Sequence, residues 1–157
     1  MVITLGPGLD SGRIDKHLTD IAESLRILET FKAVGFEEFC RDTKTVWAAE
    51  KGLERCIQNV LAVAAHVLAA VGGPVPDDYP TIIRALGDKR ILPPDFAARI
   101  APMAGFRKSL VHRYLEVDLR EVYSAVHTRL DDFRTFAGYI TGFVKENAPQ
   151  SSKPGDV

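Results

Sequence analysis

Sulfur is scarce in this chain, and neither sign of charge is in excess. Cys40 and Cys56 are the only cysteines among 157 residues. They show no CxxC spacing, so neither a disulfide framework nor a cysteine-built zinc site is expected. Two free thiols suit a reducing compartment, and a cytoplasmic protein is the expectation. Formal net charge is −1, from 20 Lys and Arg against 21 Asp and Glu. The molecule as a whole does not attract polyanions, so nucleic-acid binding would need a local cluster of Lys and Arg. The opening `MVITLGPGLDSG` has no basic start followed by an apolar run, which argues against a secretory signal. No stretch approaches the ~18 consecutive apolar residues of a membrane helix, so no membrane partner is expected.

Catalytic signatures are missing too. No Glu is followed three places on by His, as paired-metal helical bundles require, and no HExxH zinc-protease motif or Walker A loop occurs. `GPGLDSG` begins like a dinucleotide loop, but no strand precedes it and Ser11 stands where the third glycine belongs. Neither a cofactor nor a metal is expected.

What remains is helical. Alternating apolar and polar residues, the mark of a half-buried strand, are absent throughout. Ile14, Leu18, Ile21, Leu25 and Leu28 step by four and three, predicting a first helix capped by Ser11 and ended near Gly35. A short turn, `FEEFCRD`, leads to a long helix over about 43–71. Its predicted buried face is Trp47, Leu53, Ile57, Leu61, Ala64 and Leu68, and Gly72-Gly73-Pro74 stops it. Tyr79, Ile82, Ile83 and Leu86 mark a short third helix. Pro94 opens a segment through Met103, Phe106 and Leu110, and Asp118 caps a last helix from Leu119 through Ile140. The expected fold is an all-α, up-and-down bundle of four to five helices over residues 11–147, with flexible extensions at 1–10 and 148–157.

The remaining polar residues have ordinary expectations. His66, within `VLAVAAHVLAAV`, is expected to be a core or interface histidine holding one hydrogen bond. His17 and His127 sit among charged residues and are expected to be solvated. Glu54 and Arg55 are expected to pair with a neighbouring helix.

One segment is unlike the rest. From Phe96 to Leu115 there are four Lys or Arg residues, namely Arg99, Arg107, Lys108 and Arg113, and no acid. His112 adds conditional charge, since imidazole titrates near pH 6.5. A cationic helix end would account for this by complementing the helix dipole. A reaction centre is the alternative, and geometry constrains it. At 100° per residue, Arg107 and Tyr114 share a face, whereas His112 lies roughly 140° around from Arg107. Either the helix breaks before His112, or two copies of the chain bring the groups together across a symmetric interface. The chemistry that suits such a cleft is metal-free RNA cleavage. His112 would exchange the proton of a ribose 2′-hydroxyl or of the leaving oxygen, and Arg107 would hold the phosphate. The product would be a 2′,3′-cyclic phosphate.

Arg107, four residues, His112, one residue and Tyr114 together resemble the Arg-x4-His-x-Tyr motif of HepT toxins in the HEPN superfamily. The surrounding `MAGFRKSLVHRYLEVD` is similar to that family's motif segment. `GLERCIQNVLAVAAHVLAA` resembles its second long helix, with Glu54, Arg55 and Gln58 in familiar places. The likeness spans about 12–144. It implies an all-α homodimer acting as the ribonuclease toxin of a two-gene system, whose antitoxin is a minimal nucleotidyltransferase that adds AMP to the motif tyrosine. By position, Arg107 and His112 would be catalytic and Tyr114 the AMP acceptor. Lys108, Ser109 and Arg113 would contact RNA. The competing expectation is a HEPN module without catalysis that binds a nucleotide or a nucleotidyltransferase partner.

Overall fold

The computed structural model describes residues 8–112 and 118–147. Within them lie eight α-helices, a three-residue 3-10 turn and no strand, in agreement with the all-α expectation.

Helix α1 spans Ser11–Thr30 and presents Ile14, Ile21, Leu25 and Leu28 to the core. Its cap is Asp10 and not Ser11: the Asp10 carboxylate accepts the Arg13 amide at 3.0 Å. The Asp10 backbone N–H in turn donates to His66 Nε2 at 3.0 Å, giving that histidine the one partner expected of it. The `FEEFCRD` stretch forms a helix, α2 (Phe36–Arg41), where a turn was expected. Phe39 buries all but 1% of its surface, which anchors so short a helix.

The central element is α3, Thr43–Ala70, started by Asp42 accepting the Lys44 and Thr45 amides. It is long and apolar enough to span a membrane by length and composition, yet 61% of its most apolar stretch is buried inside the protein. It is the core helix of the bundle. Gly72, at φ 81°, provides the left-handed residue that ends it. Leu53, Ile57, Leu61, Ala64 and Leu68 are buried as expected, but Trp47 is 68% exposed. Stepping back from Leu53 at 100° per residue puts Val46 on the buried stripe and Trp47 about 100° off it. Gly52 lets α1 come close, since a Cβ there would stand 2.8 Å from Leu28 Cδ2.

Helix α4 (Tyr79–Asp88) follows, capped by Asp78. The predicted segment after Pro94 is two helices, α5 (Pro94–Ile100) and α6 (Met103–His112). Pro102 divides them because it has no N–H to continue the ladder. Helix α5 packs closely on α4 at Gly87, where a Cβ would lie 2.8 Å from Ala97 Cβ and 3.3 Å from Pro94 Cα. The predicted last helix also divides, into α7 (Leu119–Thr128), capped by Asp118, and α8 (Leu130–Asn147). No proline or glycine marks the break at Arg129. There the chain turns Asp132 inward, with its side chain 3% exposed and salt-bridged by Arg99 and Arg129.

The two histidines expected to be solvated are held. His17 Nδ1 meets Asn59 Oδ1 at 2.7 Å, and Asn59 donates to Asp20 and to the Arg55 carbonyl. His127 bonds the Tyr123 carbonyl at 2.8 Å and stacks against the Tyr123 ring at 4.0 Å. Both sit at helix contacts, where a long polar side chain reaches a neighbour before it reaches bulk water. Arg55 pairs with Asp20 across α1 and α3, as expected, and holds that carboxyl below the ordinary carboxylate range. Glu54 instead pairs within its own helix with Lys51, at 3.2 Å.

Candidate active site

The basic segment rides on α6, which packs against α3 and α4. Ala104 and Leu110 are the buried anchors, and Met103 and Phe106 pack beside them. That choice of face turns Arg107 toward a cleft of about 390 Å³. The cleft is walled by Asp77, Asp78, Tyr79 and Pro80 on one side and by Gly105, Arg107 and Lys108 on the other.

Arg107 is held there by two elements remote in sequence. Its Nε–H donates to Gln58 Oε1 of α3 at 2.7 Å. Its guanidinium carbon lies 5.5 Å from the centroid of the Tyr79 ring at the start of α4, within cation–π range. Among the described residues no carboxylate forms a salt bridge with Arg107. Asp78, across the cleft, is occupied locally: its carboxylate takes the Thr81 hydroxyl at 2.5 Å and the Thr81 amide at 3.1 Å. Those bonds, the hydroxyl first, hold its pKa below the ordinary value. The cleft therefore presents one half-buried guanidinium and an exposed ammonium, Lys108, against a short acidic lip. With Nε engaged, the two Nη groups of Arg107 form the edge left to grip an oxyanion bidentately.

Ser109 is half-buried on the same helix. The backbone of α6 continues unbroken through His112. The His112 side chain, Arg113 and Tyr114 lie outside the described residues. An unbroken helix removes one of the two ways of uniting Arg107 with His112, because it keeps the roughly 140° offset between them.

Gln58 and Tyr79 are the site residues that pattern reading did not assign a role. Gln58 stood out only as part of the family-like `GLERCIQ` stretch, and Tyr79 only as a helix marker. Neither carries a local signal, since each acts through a residue 28 or more positions away.

A second cavity, of about 270 Å³, borders Leu53, Ile57, Ile100, Met103 and Phe106, with Arg99, Arg129 and Asp132 at its polar end. Its arginines are already committed to Asp132.

A family model described as "Ribonuclease HepT-like" matches residues 21–140. A tRNA nuclease HepT from Aphanizomenon flos-aquae is 25% identical over 132 residues, covering 83% of this chain and 89% of the relative. A probable ribonuclease HepT from Thermococcus cleftensis is 30% identical over 111 residues, covering 70% and 79%. Among solved structures, the tri-AMPylated HEPN toxin of Shewanella oneidensis, in complex with an MNT antitoxin, superposes with a TM-score of 0.77 at 20% identity. That match covers 85% of this chain and 99% of the toxin. The cytosolic protein YutE of Bacillus subtilis superposes at 0.78 with 19% identity, over 90% and 96% of the two chains. These folds agree with the helical bundle described above, and the span of the family match covers α3 through α7 entire. The chain belongs to the ribonuclease HepT-like family.

Proposed function

We propose that this chain is a ribonuclease toxin that cleaves RNA without a metal and is silenced when a nucleotidyltransferase antitoxin attaches AMP to Tyr114. The observation that carries the proposal is the state of Arg107: a cationic fork in a cleft, fixed by an amide and an aromatic ring, with no acid paired to it among the described residues. Such a group is arranged to receive a phosphate.

In the proposed reaction the ribose 2′-oxygen attacks the adjacent phosphorus and the bond to the 5′-oxygen breaks, leaving a 2′,3′-cyclic phosphate and a 5′-hydroxyl. His112 handles a proton, taking it from the 2′-hydroxyl or giving it to the leaving oxygen. Arg107 holds the nonbridging oxygens and offsets the charge that grows on them. Lys108, Ser109 and Arg113 contact flanking phosphates. Because α6 keeps Arg107 and His112 on different faces, the reacting pair is drawn from two copies of the chain in an isologous dimer. The names of the nuclease relatives and the AMP-bearing, antitoxin-bound Shewanella toxin support the same reading. A phosphodiester anion on Tyr114 would compete with RNA for Arg107, Lys108 and Arg113.

The test is RNA cleavage by the purified chain in EDTA. Arg107→Ala and His112→Ala should each abolish it while helical content is unchanged. Inhibition by EDTA would overturn the metal-free route. A parent that cleaves RNA no better than the two variants, at background level, would leave a non-catalytic HEPN module. Tyr114→Phe should cleave RNA yet escape neutralisation by the co-expressed antitoxin, with no AMP increment in its intact mass. A Phe variant neutralised as well as the parent would remove Tyr114 as the switch.

A further inference from the structure

We infer that Gln58 is a positioning residue for Arg107, acting through a neutral acceptor that aims the guanidinium without spending its charge. The inference rests on the ribonuclease reading for its consequence, though not for its geometry.

An arginine side chain has four rotatable bonds and loses a good deal of entropy when fixed. Among the described side chains of α6, none is hydrogen-bonded to the far end of Arg107. Gln58 holds it from α3, accepting the Nε–H at 2.7 Å. Tyr79 limits the remaining rotation by lying against the guanidinium from α4. A guanidinium presents two bidentate edges, one at Nε and one Nη, the other at the two Nη groups. Occupying Nε selects the second edge as the one facing an incoming phosphate.

The choice of an amide is the informative part. A carboxylate at position 58 would accept the same hydrogen bond more strongly. It would also neutralise Arg107 and repel the anion the cleft is to hold. Elsewhere this chain pairs arginines with acids freely: Arg55 with Asp20, Arg99 and Arg129 with Asp132, and Arg134 with Glu29 and Asp131. Among the described residues, Arg107 is the arginine whose side chain is hydrogen-bonded to an amide. Gln58 is itself exposed, so it contributes little to the core, and its replacement tests function apart from folding.

The experiment compares Gln58→Ala and Gln58→Glu with the parent and with Arg107→Ala. Turnover of an RNA oligonucleotide is the first readout. The second is the Nε–Hε cross-peak of Arg107 in a nitrogen-proton spectrum, assigned by its loss in Arg107→Lys. The third is affinity for a 2′-O-methyl RNA oligonucleotide, which cannot be cleaved by this route. Gln58→Ala should lower kcat by on the order of tenfold, as a misaimed catalytic group does, with an unchanged melting temperature. Its Nε–Hε signal should shift and broaden. Gln58→Glu should keep that signal sharp but raise KM and weaken oligonucleotide binding. A parent-like signal and parent-like kinetics in Gln58→Ala, with Arg107→Ala inactive, would overturn the positioning role alone. Parent-like RNA affinity in Gln58→Glu would overturn the importance of a neutral acceptor. If the parent cleaves no RNA, the ribonuclease reading fails, and the spectrum still decides whether Gln58 holds Arg107.

Discussion

Arg99 and Arg107 stand on consecutive short helices and meet opposite surroundings. Arg99 donates to Asp132, a carboxylate buried to 3% exposure that Arg129 also reaches, at 3.5 Å. That arginine ties α5 to the start of α8, and its charge is consumed in doing so. Arg107 donates instead to the amide of Gln58 and leans on the Tyr79 ring, so its charge stays available to a ligand. The partner decides which kind of arginine each one is. An acid makes a tether, and an amide makes an instrument.

Truncating each arginine in turn should separate the two most widely. Arg107→Ala should reduce RNA cleavage by on the order of 10³-fold, the scale for losing one preorganised donor to a developing oxyanion, while the melting temperature holds. Arg99→Ala should do the reverse, lowering the melting temperature and leaving kcat/KM at the parent value. Equal losses of activity in the two variants, assayed side by side, would erase the distinction.

Asp132→Ala is the next largest expected effect. It removes a buried carboxylate and its charge-assisted bonds, and should cost about 2 kcal/mol of unfolding free energy in a denaturant titration. The cost stays modest because Arg99 and Arg129, with side chains 61% and 57% exposed, can be rehydrated. Combining Asp132→Ala with Arg99→Ala should cost less than the sum of the two, since both remove one shared interaction. Strict additivity would mean that the pair contributes nothing as a pair.

The smallest effect extends the contrast to a histidine. Nε2 of His66 accepts the Asp10 N–H, which requires the neutral ring. Burial, followed by the nearby Arg13 charge, lowers its pKa, and Asp10 offsets this only in part. A histidine with a lowered folded pKa contributes stability that is complete above its ordinary value of about 6.5 and is lost as pH falls below it. Hydrogen-exchange protection factors at the first turn of α1, taken against the intrinsic amide rate at each pH, should therefore fall between pH 7 and pH 5, and His66→Gln should flatten that dependence. Protection factors indifferent to pH in the parent would remove His66 as the cause.

Much of the bundle was legible in the sequence because a helix writes its buried face in strides of three and four. The strides of α1, α3 and α4 name their core residues directly. Pro102 marked the division of α5 from α6 for anyone counting backbone donors. The break at Arg129 had no such mark, and Asp132, an acid turned inward, is intelligible only once Arg99 is seen beside it. Trp47 was misplaced by its size, although its angle already put it off the stripe. At the site, Arg107 was visible from its neighbours in the chain. Gln58 was not, because periodicity states which face of a helix is buried and does not state which two faces meet.

The close crossing at Gly87 bears on how such a cleft could be retuned. α4 carries Tyr79 at one end and touches α5 at the other, and α5 leads through Pro102 to Arg107. Position 87 is thus a hinge pin with no thickness of its own, set well away from the two jaws it spaces. Thickening it stepwise, from glycine to alanine to valine, would pry the jaws apart while leaving every reacting group chemically intact. A remote spacer of this kind is an adjustment of caliper width, made without rewriting the teeth.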